Sequence, residues 1–314
     1  MERKNRPSSI AMSPSLPQPS VDLKDGVLTA TLPSGDSVQV YLYGATVTSW
    51  KTSNGQEQLF LSTAAVLDGS KPIRGGIPLV FPVFGPPPKD HATSKLPQHG
   101  FARNSTWEFM GKSSSESTST KADDSVKLDF GLSSAMLSAD TKSKWPVEFG
   151  LVYSVTLSKS KLEVQLHVQN KGENAFDFQC LFHSYFTVKD ISNTTVSGLA
   201  GASYVDKVRG AQTFKEESAD LPITGETDRV YTTPSLPPIV VKESGKDSLI
   251  TTRDALPDVT VWNGWEQKIA GMGDFEPKDG WKRYICIEPG TVTGWTKLEA
   301  GDAWEGSAIF EAKL

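Results

Sequence analysis

The sequence is poor in the residue types that build metal centres and covalent cross-links. Its 314 residues include only two cysteines and four histidines. Two cysteines exclude a disulfide-dense secreted scaffold, and so few cysteine and histidine ligands leave little material for a zinc site. We therefore expect no metal, and a thiol-reducing cytoplasmic compartment is the default expectation.

Long apolar runs and an excess of positive charge are also missing. No stretch approaches the roughly 18–20 apolar residues of a membrane span, so we expect no membrane partner. Lys and Arg number 32 against 37 Asp and Glu, a formal net charge of −5, which argues against nucleic acid as a partner. A small anionic substrate stays compatible, because it needs only a few local cations.

The first 20 residues carry early cations and repeated prolines but no apolar core. This composition does not fit a secretory signal and predicts a flexible N-terminal arm over residues 1–20. A second polar, low-complexity stretch covers residues 113–124 and predicts an exposed hairpin loop or insertion. Strand-like patterns resume on both sides of it, so we expect one domain over residues 21–314.

What the chain does contain is period-2 alternation with turn residues between the segments. Residues 162–169 alternate strictly between apolar and polar, which is typical of a half-buried antiparallel strand. Turn chemistry follows at residues 33–36, 53–55 and 170–173. Helical periodicity is scarce, with a weak candidate at residues 133–138. Many short strands and few helices predict an all-β sandwich or barrel.

Two irregular segments carry polar residues suited to ligand binding. In residues 74–85, glycines and prolines interrupt an apolar run, which predicts a buried but irregular cavity wall beginning at Arg74. In residues 97–103, Gln98, His99 and Arg103 crowd around Gly100 and predict a binding loop. For each side chain taken alone, a surface salt bridge or loop hydrogen bonding is the competing interpretation.

Three further residues are candidates for acid–base or hydroxyl-binding roles. His183 projects from the polar and aromatic face of residues 176–185 and can titrate near neutrality. Glu288 ends an apolar strand just before Pro289, where desolvation would raise its pKa. Asp228 enters a strand and could accept hydrogen bonds from sugar hydroxyls. The competing interpretations are a structural histidine, a solvent-facing glutamate and a turn-forming aspartate.

Taken together, several segments resemble the aldose 1-epimerase (mutarotase) superfamily, and most closely its glucose-6-phosphate 1-epimerase branch. The resemblance rests on residues 61–85, 96–109, 181–186, 226–231, 261–275 and 285–290. It implies a large antiparallel β-sandwich, the galactose mutarotase-like supersandwich, with few short helices. It also implies a general acid at His183, a general base at Glu288, and substrate-binding positions that we list as Arg74, Gln98, Arg103 and Asp228, with His99 lining the same site.

The activity that the resemblance implies is interconversion of the α and β anomers of D-glucose 6-phosphate by acid–base ring opening and reclosure. No metal or redox cofactor is required, and we expect a monomer whose partner is a hexose 6-phosphate. Arg74 and Arg103 are the expected phosphate ligands, because a guanidinium binds phosphate oxygens bidentately, with Lys71 and Lys89 nearby. Trp262 or Trp265 could border the sugar.

Three alternatives stay open at this point. An aldose 1-epimerase acting on free hexoses would use the same acid–base pair. A non-catalytic carbohydrate-binding sandwich would not need both His183 and Glu288. A glycoside hydrolase would need two carboxylates about 5–10 Å apart, for which Asp228 and Glu288 are the pair to test.

Overall fold

The structure of the protein is a computed structural model that describes residues 17–113 and 125–314. Most of the predicted N-terminal arm, residues 1–16, lies outside the described residues. So does the predicted polar loop, from residue 114 to residue 124. The assignment of residues 21–314 to a single domain stays a prediction.

Short antiparallel strands dominate the described part of the chain. In chain order they are β1 Ser20–Lys24, β2 Val27–Thr31, β3 Ser37–Tyr41, β4 Thr46–Lys51, β5 Leu79–Val80, β6 Glu108–Ser113, β7 Ser125–Ser133, β8 Phe149–Ser158, β9 Lys161–Asn170, β10 Phe176–Phe182, β11 Tyr185–Thr187, β12 Thr194–Ser197, β13 Ser203–Asp206, β14 Gln212–Lys215, β15 Asp220–Pro222, β16 Thr227–Thr232, β17 Ile239–Glu243, β18 Lys246–Asp254, β19 Asp258–Asn263, β20 Tyr284–Leu298 and β21 Ala303–Ala312.

Helices are few and short, as the sequence predicts. The two α-helices in the described residues are α1 Ala139–Lys144 and α2 Trp265–Ala270, and 3₁₀ turns cover Ala102–Asn104, Ser134–Met136, Ile191–Asn193 and Lys278–Arg283. The weak helical candidate at residues 133–138 becomes a 3₁₀ turn followed by α1, whose N-cap Ser138 accepts a hydrogen bond from the Thr141 amide. Within the described ranges, no helix is long and apolar enough to cross a membrane.

The strands form three antiparallel sheets. A four-stranded sheet has the order β1-β2-β3-β4. An eight-stranded sheet has the order β14-β13-β16-β19-β20-β10-β5, with β11 also paired to β20. A nine-stranded sheet has the order β15-β12-β17-β18-β21-β9-β8-β7-β6. The predicted turn at residues 33–36 joins β2 to β3, and β9 alternates between buried and more exposed residues along most of its length.

The eight- and nine-stranded sheets pack face to face through aromatic side chains. Phe178 on β10 meets Trp304 on β21 edge to face at 5.3 Å between ring centroids, and Phe186 on β11 lies 4.9 Å from Phe310 on β21. Such pairs add specific geometry to the apolar area that they bury. The predicted all-β antiparallel sandwich is therefore confirmed.

The two faces of β19 and β20 carry different chemistry. Val259 and Val261 on β19, with Ile285 and Ile287 on β20, belong to the core between the sheets. The alternate residues face the other way and are polar or aromatic: Thr260, Trp262, Cys286 and Glu288. Because side chains alternate across a strand, the outer face of this sheet becomes the floor of a cleft.

The expectation that Glu288 ends its strand is wrong. Strand β20 continues through Pro289 and Gly290 to Leu298. It pairs with β11 up to Cys286 and with β10 from Gly290 onward, so the residues between have no ladder partner on that side. A proline that lacks a ladder N–H is tolerated at such an interruption.

Candidate active site

A cleft of about 240 Å³ opens on the outer face of the eight-stranded sheet. Strands β16, β19 and β20 supply its floor, and irregular segments before β6 and around α2 supply its walls. Its lining residues are Arg74, Phe84, Gly85, Pro86, Gln98, His99, His183, Tyr185, Lys207, Asp228, Thr260, Trp262, Lys268, Met272 and Glu288. Six of the seven predicted site residues line this cleft, and Arg103 does not.

His183 and Glu288 meet where the ladder is interrupted. Leu181 pairs with Gly290 and Tyr185 pairs with Cys286, so the register leaves His183 opposite Glu288 in the gap between β10 and β11. The His183 amide donates to the Pro78 carbonyl at 3.0 Å, which fixes the backbone there. The strand break thus brings two distant segments of the chain together.

The two side chains are close and buried, and the two facing atoms have no other hydrogen-bond partner among the described residues. His183 Nδ1 lies 3.1 Å from Glu288 Oε1, and the side chains are 12% and 2% exposed. Neither atom makes a hydrogen bond of good geometry to any described residue. Buried polar atoms are normally paired, so such atoms at the base of a cleft mark a functional site.

Burial shifts the pKa of both groups toward their neutral forms. Desolvation raises the pKa of Glu288 well above its usual value, with the nearby Asp228 carboxylate adding to the rise. Desolvation also lowers the pKa of His183 well below its usual value, helped by His99 and Arg103. The pair therefore favours one shared proton over a wide pH range.

Tyr185 and Arg74 support the imidazole of His183 from one side. The Tyr185 ring stacks on His183 at 4.8 Å between centroids with an interplanar angle of 10°. Arg74 Nη1 donates to the Tyr185 hydroxyl at 3.3 Å, and Arg74 Nε and Nη2 donate to Asp274 Oδ2 at 3.2 and 3.1 Å. Asp274 thus positions the guanidinium of Arg74, which in turn positions the hydroxyl of Tyr185.

The predicted binding loop forms the adjacent wall. His99 Nδ1 accepts from the Gly85 amide at 3.2 Å, which places its proton on Nε2. His99 Nε2 lies 3.3 Å from the side-chain amide of Gln98. With that amide flipped so that its oxygen faces the ring, Gln98 accepts the hydrogen bond from His99 Nε2. Desolvation, with the nearby Arg103, lowers the pKa of His99 to about 3, so it stays neutral.

Arg103 lies behind this loop. Its Nη2 donates to the Gln98 carbonyl at 3.1 Å, and burial lowers its pKa to about 10. The loop turns tightly at Gly100, where an added Cβ would come within 2.0 Å of the Phe81 carbonyl oxygen and φ is +71°. The guanidinium therefore holds the loop rather than lining the cleft.

Lys207 and Asp228 are neighbouring charged residues that both line the cleft. Asp228 is the second residue of β16, with its side chain 17% exposed, so it is neither in a loop nor a turn former. Desolvation raises its pKa, and Lys207 opposes that rise. Lys207 Nζ lies 3.8 Å from Asp228 Oδ1 and 3.8 Å from the centroid of the Phe84 ring.

A buried charge network fixes the loop that carries Lys207. Asp206 Oδ1 accepts from the amides of Val208 and Arg209, and Asp206 Oδ2 pairs with Arg229 Nε at 3.4 Å. The Lys207 amide donates to the Asp228 carbonyl at 2.8 Å. The ammonium group is thus presented from an ordered backbone.

Sequence reasoning missed several residues of the cleft. Lys207 comes from a segment with no motif, and only the fold reveals it. Lys268 and Asp274 lie inside the matched segment 261–275, so that segment carried a signal that was not used. Of the two tryptophans considered, Trp262 lines the cleft and Trp265 does not. Neither Lys71 nor Lys89 lines it.

One group of side chains in the cleft floor has the donor types of a metal site. His183, Cys286 and Glu288 each offer one ligand atom, and these atoms lie within 4.8 Å of one another. Imidazole nitrogen, thiolate sulfur and carboxylate oxygen are all zinc ligands.

Comparison with known proteins gives a consistent result. A model of the aldose 1-epimerase family matches residues 27–311. A protein of Cenchrus ciliaris named "Putative glucose-6-phosphate 1-epimerase" is 32% identical over 277 residues, which cover 87% of this chain and 80% of the relative. A protein of Escherichia coli with the same name is 33% identical over 247 residues, which cover 79% of this chain and 77% of the relative.

A solved structure agrees with the fold. The crystal structure of a "putative mutarotase" from Salmonella typhimurium superposes with a TM-score of 0.79 at 27% identity, and the match covers 94% of each chain. The likeness therefore extends over nearly the whole length of both chains.

Proposed function

The chain belongs to the aldose 1-epimerase family, a family of isomerases, and we propose that it interconverts the α and β anomers of a hexose 6-phosphate. D-Glucose 6-phosphate is the expected substrate, as the names of the curated relatives suggest. The observation that carries the proposal is the close, buried pair of His183 and Glu288 at the base of the cleft, whose facing atoms Nδ1 and Oε1 have no other hydrogen-bond partner among the described residues.

Ring opening needs one group to take a proton and another to give one. When the single proton of the pair is on His183 and Glu288 is ionised, Glu288 takes the proton of the C1 hydroxyl while His183 gives its proton to the ring oxygen. The open-chain aldehyde then rotates about its C1–C2 bond, and the reverse transfers close the ring on the other face. Positioned general acids and bases of this kind typically accelerate proton transfers by about 10²–10⁴-fold.

The geometry of the pair suits this cycle. With His183 Nδ1 beside Glu288, its Nε2 is the nitrogen available to a sugar oxygen. Stacking on Tyr185 fixes the plane of the imidazole. One proton shared by the pair is sufficient, because each group ends a complete cycle in the state in which it began.

Sugar hydroxyls have several partners in the walls of the cleft. Asp228 can accept hydrogen bonds, neutral His99 can donate through Nε2, and Thr260 Oγ1 is buried without a partner among the described residues. Arg74 supplies donors beside Tyr185. A cleft lined by a few polar groups and by the aromatic side chains of Phe84, Tyr185 and Trp262 is typical of small-ligand sites.

The cations of the cleft favour a phosphorylated sugar over a free one. Arg74 is committed to Asp274, and Lys268 donates to Glu226 at 3.0 Å. Lys207 makes no hydrogen bond through its ammonium to any described residue, and Asp228 is its nearest anion at 3.8 Å. We therefore assign the phosphate to Lys207, in place of the Arg74 and Arg103 pair expected from the sequence.

The experiment that tests the function is anomer exchange measured by NMR. Glucose 6-phosphate, glucose and galactose are compared with the wild-type protein, with Glu288→Gln, and with Glu108→Gln as an exposed control. We expect fast exchange of glucose 6-phosphate that is lost in Glu288→Gln and kept in the control.

The other outcomes select the alternatives. Equal or faster exchange of free hexoses would identify an aldose 1-epimerase without phosphate preference. Sugar binding without any acceleration of exchange would identify a carbohydrate-binding protein. Size-exclusion chromatography tests the accompanying expectation of a monomer, and fractionation of cells tests the expectation of a cytoplasmic enzyme.

A further inference from the structure

We propose that His183, Cys286 and Glu288 form a binding site for a thiophilic divalent cation such as Zn²⁺, and that the bound ion inhibits the enzyme. Cys286 has no part in the proposed proton transfers, yet its buried thiol lies directly beside the pair that performs them. The site would make the activity sensitive to free zinc.

The spacing of the three donor atoms fits a tetrahedral ion. Bonds of about 2.0–2.3 Å at tetrahedral angles separate neighbouring ligand atoms by roughly 3.3–3.8 Å. The ligand atoms of His183, Cys286 and Glu288 lie within 4.8 Å of one another, and His183 Nδ1 is 3.1 Å from Glu288 Oε1. Shifts of about 1 Å or less would bring all three into contact with one ion.

The donors that would face the ion contact one another, and the Cys286 thiol is hydrogen-bonded to the Glu288 carboxyl. His183 Nδ1 and Glu288 Oε1 have no well-formed hydrogen bond to any described residue, although Glu288 is almost fully buried. Cys286 is fully buried and lies next to Glu288 on the same face of β20. Three protein ligands and one open position toward the cleft match the arrangement of accessible zinc sites.

The charge of the three ligands also balances the charge of a divalent ion. A thiolate, a carboxylate and a neutral imidazole bring two negative charges to an ion with two positive charges. On binding, the thiol proton of Cys286 and any proton held by the His183–Glu288 pair are released to solvent, and the metal–sulfur, metal–nitrogen and metal–oxygen bonds take their place. No oxidant or reductant takes part.

The ion reaches the site through the cleft, because His183 and Glu288 line it. Once bound, it occupies the nitrogen and the oxygen between which the shared proton moves. Inhibition therefore rests on the proposed function, whereas binding itself does not. Direct binding measurements keep the two questions separate.

The test uses protein freed of metal by a chelator and then dialysed. Titration calorimetry with Zn²⁺ should give one site per chain, and Co²⁺ should give the near-ultraviolet charge-transfer absorption of a cobalt–thiolate bond. The two cysteines of the chain provide a matched pair of variants, because Cys180 is also buried but lies on the core side of β10. Cys286→Ala should weaken Zn²⁺ binding and inhibition by about tenfold or more, and Cys180→Ala should not.

Each outcome decides the proposal. Loss of the cobalt–thiolate band in Cys286→Ala, with the band kept in Cys180→Ala, supports it. Absence of that band in the wild-type protein, or equal Zn²⁺ affinity in both cysteine variants, overturns it. Zinc binding without inhibition would keep the site and contradict the assigned role of His183 and Glu288. If Cys286→Ala fails to fold, the band in the wild-type protein and its loss in Cys286→Ser decide instead.

Discussion

His183 Nδ1 lies 3.1 Å from Glu288 Oε1 although the two residues belong to distant segments of the chain. The contact exists because β10 and β11 pair with the same strand, β20, and leave a gap between them. The register on either side of the gap is the same, so His183 stands directly opposite Glu288, and opposite residues of antiparallel strands face the same side of the sheet. The shared pairing of β10 and β11 with β20 is therefore what brings the acid–base pair together.

Glu288→Gln should make the folded protein more stable than the wild type near neutral pH. The folded protein raises the pKa of Glu288 through burial, so ionisation favours the unfolded chain as the pH rises from about 4.5 toward the raised pKa. Glutamine does not ionise, so the melting temperature of the variant should exceed that of the wild type near neutrality, and the difference should shrink toward pH 4. Calorimetry across this range tests it. A constant difference at all pH values would contradict the burial effect, and exposed Glu108→Gln is the control.

His183→Asn should reduce the loss of folding stability on acidification, whereas Glu288→Gln changes stability at higher pH. Burial lowers the pKa of His183, so the unfolded chain takes up a proton below about pH 6.5 while the folded protein does not. The wild type should lose stability on acidification, and the variant should lose less. Denaturant melts at pH 7 and pH 5 measure this. His167→Asn on β9, where the side chain is 40% exposed, is the matched control.

Lys207→Met should lower the preference for a phosphorylated sugar. Removal of one charged donor to phosphate costs about 1.5–3 kcal/mol, so kcat/KM for glucose 6-phosphate should fall by roughly tenfold to a hundredfold. The value for free glucose should change little. Lys268→Met removes a cleft lysine that is paired with Glu226 and should have a smaller effect. Equal losses for both sugars would mean that Lys207 does not contact the phosphate.

Asp274→Asn should disturb the cleft without touching the acid–base pair. Asp274 Oδ2 accepts from both Nε and Nη2 of Arg74, and Arg74 in turn donates to Tyr185. We expect kcat/KM to fall by about tenfold, because a charge-assisted pair that positions donors is lost. Steady-state kinetics measure it, with Asp279→Asn as an exposed control. An unchanged kcat/KM would remove Arg74 from the site.

Alternation and turn chemistry predict most of the fold, because they report which face of a strand is buried. Residues 162–169 alternate and become β9, and residues 33–36 become the turn between β2 and β3. The pairing of strands cannot be read this way, since it depends on contacts between distant segments. The continuation of β20 past Pro289 follows from such pairing, and the sequence predicts an end there instead.

The candidate site is only partly readable from sequence for the same reason. His183 and Glu288 stand out because titratable residues on apolar strands are unusual. Lys207 does not stand out, because a lysine in a polar loop is ordinary until a buried Asp206–Arg229 pair fixes that loop. Arg103 stands out in the sequence for the opposite reason. It belongs to the predicted binding loop, but its guanidinium bonds the Gln98 carbonyl of that loop and does not line the cleft.

The claim that His183 and Glu288 act as one unit is tested most directly by a double-mutant cycle on anomer exchange of glucose 6-phosphate. NMR exchange rates are measured for the wild type, His183→Asn, Glu288→Gln and the double variant. We predict that each single change lowers the rate by about 10²–10⁴-fold and that the double change costs no more than the worse single one. The claim would be contradicted if the fold-loss of exchange rate in the double variant equalled the product of the two single losses. It would also be contradicted if either single variant exchanged anomers at the wild-type rate.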